Sequence, residues 1–366
     1  MNITRKDTAR VTPALLGASS LGLAALALVS FGLAAAPARA QTQDLFVSNA
    51  GNDTISRFAG TGPGTFSTTA TTLTGGGLNV PQGLAFDARG DLFAANRSGN
   101  SITEFAAGTT PGTFGAVTNF TDPSLNVPKG LAVDARGDLF AANINISGGG
   151  ITEFAAGATP GTFGATTTLS GGGLINPFGL AFDAHGDLFA ANFNDTITEF
   201  AAGATPGTFG ATTTLTGVGQ NRQGLAFDAR GDLFAANNYN DTISEFAFTP
   251  GSGAAPGTFA AGATFASGLN NPFGLAFDAR GDLFVANNGS NSVAEFAFNA
   301  ASGTFGAAQT VETGLTGPSF LAFGPSSSAP VPEASTTVSF GLLLALGLGG
   351  LMVAAKRKKI SGEPAA

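Results

Sequence analysis

Gly90-Asp91-Leu92-Phe93-Ala94-Ala95-Asn96 is the stretch from which the fold can be read. Variants of it recur along the chain, with the Asp falling at Asp44, Asp91, Asp138, Asp187, Asp232 and Asp282, in steps of 47, 47, 49, 45 and 50 residues. Each copy is followed by a Thr-Ile-Thr-Glu-Phe type segment, as at Thr196 to Phe200, and then by Gly-Thr-Phe, as at Gly207 to Phe209. A Pro-Phe-Gly-Leu-Ala-Phe-Asp-Ala type segment, as at Pro177 to Ala184, leads into the next copy. Four short apolar segments in a unit of this length match one four-stranded blade, so the sequence predicts an all-β, six-bladed β-propeller of antiparallel blades.

Local chemistry supports those strands. In Asp87-Ala88-Arg89-Gly90-Asp91, Gly and Asp supply the backbone conformations of a tight turn between the first and second strands. A second turn falls at Asn52-Asp53-Thr54, Asn194-Asp195-Thr196 and Asn240-Asp241-Thr242, and clusters such as Thr110-Pro111-Gly112 open the fourth strand. Clean polar/apolar alternation is missing, as expected where neighbouring blades bury both faces of each sheet.

Phenylalanine marks equivalent positions in all four strands, 23 rings in all, with Val133 as the one substitution. Such a set predicts a core, because a ligand stripe rarely needs the same ring in every repeat. The register at the ends predicts closure. The first unit begins at Asp44 with no first strand, and the last ends with an orphan first strand, Pro318 to Phe323. Pairing the two completes a blade and removes the exposed sheet edges of an open stack.

Composition excludes much ordinary enzymology. The chain has no Cys, no Trp and a single His, so disulfides, cysteine zinc sites and His-His metal pairs cannot form, and a catalytic triad could only use His185. His185 stands where other copies have Arg89, Arg136, Arg230 and Arg280, which places it in a hairpin turn. The Arg-Gly-Asp tripeptides are explained by the same turn. The Gly runs at 75–77, 148–150 and 171–173 lack a following Lys-Ser/Thr, so no phosphate loop is expected, and no calcium-loop pattern is present. No metal and no cofactor are expected. Residues 41–329 carry 8 basic against 21 acidic side chains, a net charge of −13, with Lys129 the single lysine. Nucleic acid is therefore not an expected partner.

Both ends read as targeting segments. Arg5, Lys6 and Arg10 precede an apolar run from Leu15 to Ala36 that closes on Ala38-Arg39-Ala40, predicting a signal peptide over 1–40 cleaved by signal peptidase after Ala40. The propeller occupies 41–329. Residues 330–366 contain Val331-Pro332-Glu333, an apolar stretch from Thr336 to Ala355 long enough to span a bilayer, and Lys356-Arg357-Lys358-Lys359, which favours a cytoplasmic end. Terminal signal and anchor helices are expected at these places. The order of motif, span and basic end resembles the PEP-CTERM sorting signal of exopolysaccharide-producing Gram-negative bacteria, with Ala334 where a second proline usually follows. The resemblance implies processing by an exosortase-type enzyme and a cell-surface or matrix location, with at least transient membrane attachment.

Asn271 to Asp278, Gly281 to Asn287 and Ser292 to Phe296 together resemble an NHL repeat, and the resemblance extends over Asp44 to Phe323. It implies a six-bladed propeller and says little of activity, because the architecture hosts binding modules, lactonases and lyases. The family often has Asp after the second strand. Here all six copies have Asn: Asn49, Asn96, Asn143, Asn192, Asn237 and Asn287. Sixfold repetition would gather these amides near one end of the barrel, as a ring able to hydrogen-bond a sugar hydroxyl or to hold turns, without a general base. The expected function is thus an exported binding or scaffold module for a glycan, exopolysaccharide or protein partner. The alternative is a metal-dependent, lactonase-like hydrolase.

Overall fold

The computed structural model describes residues 42–324, apart from 63, 111, 145–148, 160, 206, 218–221 and 252–256. Ala38, Ala40, Val331, Pro332, Glu333 and the 336–355 span lie outside the described residues. Among the described residues, no helix is long and apolar enough to cross a membrane.

The repeat folds as six four-stranded antiparallel sheets, each strand hydrogen-bonded to the next from the axis outward. In the second blade the strands are Pro81–Phe86, Leu92–Asn96, Ser101–Ala107 and Phe114–Thr121. Three blades, including this one, carry a continuous outer strand. In the other three the Gly-Thr-Phe segment forms its own two-stranded ribbon, and the outer strand follows it, as at Ala263–Ser267. Closure is as the termini require. Pro318–Phe323 pairs antiparallel with Leu45–Asn49, Leu45 opposite Phe323, to give the innermost strand of the first blade.

The phenylalanines form the seams between blades. The second-strand ring of one blade meets the first-strand and Gly-Thr-Phe rings of the next edge-on: Phe46 lies 5.1 Å from Phe86 and 5.7 Å from Phe114, and Phe189 lies 5.0 Å from Phe227 and 5.4 Å from Phe259. Phe284 packs in the same way on Phe323 and Phe66, carrying the seam across the chain ends. Edge-to-face rings at these spacings add to the burial of their area. Where Val133 interrupts the pattern, Phe120 of the preceding outer strand packs against Phe154 and Phe163.

The Asp-x-Arg-Gly-Asp hairpins at one end are clamped by charge. Asp87 Oδ1 accepts the backbone N–H groups of Arg89 and Asp91, each at 2.9 Å, while Arg89 bridges the Asp87 and Asp91 carboxylates. The first blade has no such hairpin, because its inner two strands come from opposite ends of the chain. There Arg57, at the third-strand place held by Glu104 in the second blade, reaches Asp44 instead.

Candidate functional site

Five of the six innermost strands follow the pattern x-Gly-Leu-Ala, and the place x varies most: Gln82, Lys129, Phe178, Gln223, Phe273 and Ser319. The glycine beside it is demanded by close approach. A Cβ on Gly83 would stand 2.4 Å from the Lys129 carbonyl oxygen, and one on Gly130 would stand 2.3 Å from that of Phe178. Neighbouring inner strands therefore touch through bare backbone around the axis. Only the closing strand departs, with Phe320 in the glycine place.

The side chains at x make one line of contacts across four consecutive blades. Gln82 Nε2 donates to Ser319 Oγ at 3.2 Å, and Lys129 Nζ donates to Gln82 Oε1 at 3.5 Å. The same Nζ lies 5.2 Å from the centroid of Phe178, a cation–π contact. Phe178 stacks on Phe193, with centroids 6.2 Å apart and planes at 24°. Phe193 is 52% exposed on the loop after Asn192, and with Ile175 and Tyr239 it sets exposed apolar surface at this end of the molecule. A buried hydroxyl, an amide, an amine and an aromatic face thus follow one another from the interior to solvent.

Lys129 is 7% exposed. Burial, and secondarily the charge of Arg97, push its amine down to about 8. Arg97 follows Asn96 on the same end, its backbone N–H donating to Val80 O at 3.2 Å. Among the described residues, neither cation has a carboxylate partner. Arg57, Arg89, Arg136, Arg230 and Arg280 each pair with at least one Asp. None of the six inner strands contains Asp or Glu.

The six Asn residues stand at equivalent places at the outlet of the second strands, all buried. Each amide is engaged locally. Asn96 Nδ2 donates to Thr103 Oγ1 at 2.9 Å and Ser101 Oγ at 3.2 Å, while its Oδ1 accepts the Asn79 N–H of the loop entering the same blade at 3.1 Å. Asn143, Asn192 and Asn287 repeat the bond to the entering loop. At the closing blade the Oδ1 of Asn49 has no such partner. Among the described residues no hydrogen bond joins one of these amides to another.

At the opposite end, His185 occupies its hairpin turn and is exposed, Nδ1 lying 3.0 Å from Asp183 Oδ2. That hydrogen bond and the Asp183 charge raise its pKa. Asp183, His185 and Asp187 bring ligand-type atoms within 4.8 Å of one another. The same two carboxylates are held by arginine in the sibling hairpins, so the arrangement is the repeat's own clamp with His in place of Arg.

The likeness of the repeats does not mark the channel residues, because they occupy the inner-strand place at which the repeats differ. The sequence signal was available in Pro128-Lys129-Gly130, where the domain's single lysine replaces an apolar or amide residue on an inner strand.

No family model matches the chain, and no curated protein does either. Solved structures are similar in fold. A candidate 6-phosphogluconolactonase from Bacteroides uniformis is 18% identical, with a TM-score of 0.56 over 76% of this chain and 84% of that one. A periplasmic gluconolactonase from Pseudomonas aeruginosa is also 18% identical, with a TM-score of 0.53 over 78% of this chain and 99% of that one. A Bacteroides caccae protein of unknown function is 14% identical, with a TM-score of 0.52 over 77% and 99%. At these identities the likeness establishes the propeller fold alone.

Proposed function

We propose that this chain is an exported NHL-type propeller that binds a carbohydrate at the mouth of its central channel, presented at the surface of a Gram-negative cell through a PEP-CTERM-like signal. One observation carries the reading. Repeats that are nearly alike elsewhere diverge at the channel place, where Gln82, Lys129, Phe178 and Ser319 form a continuous contact line ending on the exposed Phe193 ring. A few polar groups beside an aromatic face suit a sugar ring with hydroxyl groups at its edge. A protein partner carrying a glycan would use the same surface.

A second reading, hydrolysis of a sugar lactone, is favoured by the lactonases among the similar folds. With no carboxylate on the inner strands, such chemistry would fall to Lys129, whose amine near 8 offers a neutral fraction able to take a proton from water. A glycan array with the purified full chain, followed by calorimetry and by a lactone assay with and without calcium, manganese and zinc, tests both. Binding without turnover, lost in F193A at unchanged Tm, supports the binding module. Turnover lost in K129M would establish the hydrolase instead, and no binding with no turnover would refute both.

A further inference from the structure

We infer that the channel ligand is anionic, a sugar acid or sugar phosphate whose oxyanion sits between Lys129 and Arg97. The inference rests on the carbohydrate reading above and adds the charge of the ligand.

The domain is acidic, and every other arginine whose side chain is described has found a carboxylate. Among the described side chains of the propeller, the two cations left over are the buried Lys129 and Arg97, close enough for each charge to oppose the other. Taking an ammonium out of water without a counter-charge is unfavourable, and a like charge beside it adds to that cost. The fold could have placed Phe at this position, as it does at Phe178 and Phe273, and avoided the cost altogether. What Lys129 touches does not neutralise it: an amide oxygen at the long limit of hydrogen bonding and the face of a ring.

The surroundings suit an oxyanion. Gln82 is held by Ser319 through its Nε2, so that its Oε1 turns to the lysine and leaves the remaining ammonium protons to an incoming acceptor. Arg97, exposed at the mouth, supplies a planar fork that matches carboxylate or phosphate. Beside them Phe193 offers the apolar surface for the carbon frame. Arg97 is the charged neighbour that Lys129 feels, and no inner strand faces it with a carboxylate. Binding of an oxyanion would restore the protonated amine, so affinity should fall as the pH rises through about 8.

The test is calorimetry on the purified full chain with galacturonate, glucose 6-phosphate, inorganic phosphate and galactose, for wild type, K129M, R97Q and F193A, with Tm followed in parallel. The expected result is that galacturonate or glucose 6-phosphate binds at least about tenfold more tightly than galactose. Which of the two wins distinguishes carboxylate from phosphate. K129M should lose that preference while its Tm stays level or rises, an outcome that a purely structural lysine would not give. R97Q should weaken binding and reduce its salt dependence. If galactose binds as well as galacturonate and K129M changes neither, the inference falls while the carbohydrate reading stands. Inorganic phosphate binding as tightly as the sugar phosphate would mean an anion site without a sugar and would overturn the inference. If no sugar binds and F193A is indifferent, both readings fall.

Discussion

At the scale of single residues, two buried polar groups are held on different terms. The Asn96 amide is satisfied on both sides, by two hydroxyls and by the Asn79 N–H, so its removal leaves donors and acceptors buried without partners. N96A should lower stability by about 1–3 kcal/mol in denaturant unfolding with sugar affinity unchanged; lost affinity in a fully stable protein would give the amide a direct ligand role. Glu312 has no ion-pair partner among the described residues, and burial alone pushes its pKa up to about 7. A carboxyl whose pKa rises on folding binds more protons in the native state. Its burial therefore costs nothing below the unfolded value of 4.5 and progressively destabilises the protein as pH climbs through about 7. E312Q should accordingly raise Tm at pH 8 and leave it unchanged at pH 4. Thermal melts across that range check the sign.

At the scale of elements, the loops that enter five of the six inner strands turn through a left-handed residue just before the strand opens. Asn176 and Asn271 take that conformation, at φ 46° and 50°, as Asn does readily. Val80 and Val127 take it at φ 53° and 52°, where a β-branched side chain is strained. Both N–H groups are tied down by the preceding blade, Val80 to Asp53 Oδ1 at 2.6 Å and Val127 to Asn100 Oδ1 at 2.7 Å. The strained pair leads into the two strands that carry Gln82 and Lys129, a placement that fits strain held near a binding site. V127N, which copies the sibling blades, should stabilise the fold by about 1 kcal/mol, measured by urea denaturation.

At the scale of the molecule, closure makes the six blades one cooperative unit. Besides the strand pairing, Ser48 Oγ donates to Gln82 O at 2.6 Å and accepts the Phe320 N–H at 2.9 Å, so the closing strand, its partner and the next blade meet on one hydroxyl. The seam carries part of the channel as well, since Ser319 comes from the C-terminal strand and Gln82 from the second blade. A chain ending before Gly317 should melt at lower temperature and less cooperatively than one ending at Ala329, and should lose sugar binding along with closure. Equal calorimetric transitions for the two would refute this.

Blade number, strand order and closure were determined by the sequence alone, because a period near 47 residues, a Phe at each strand and an offset between the two ends admit one cyclic arrangement. The hairpin role of His185 was legible for the same reason, since four sibling turns spell it out. The channel was not. Gln82, Lys129, Phe178 and Ser319 are separated by up to 237 residues, and they meet because the glycines beside Gln82 and Lys129 let the inner strands approach within a Cβ of contact. In the sequence Lys129 is one positive charge in an acidic domain. Tertiary structure decides that it is buried with no counter-charge among the described residues, since burial and the missing carboxylate are properties of the ring of inner strands and of no single repeat.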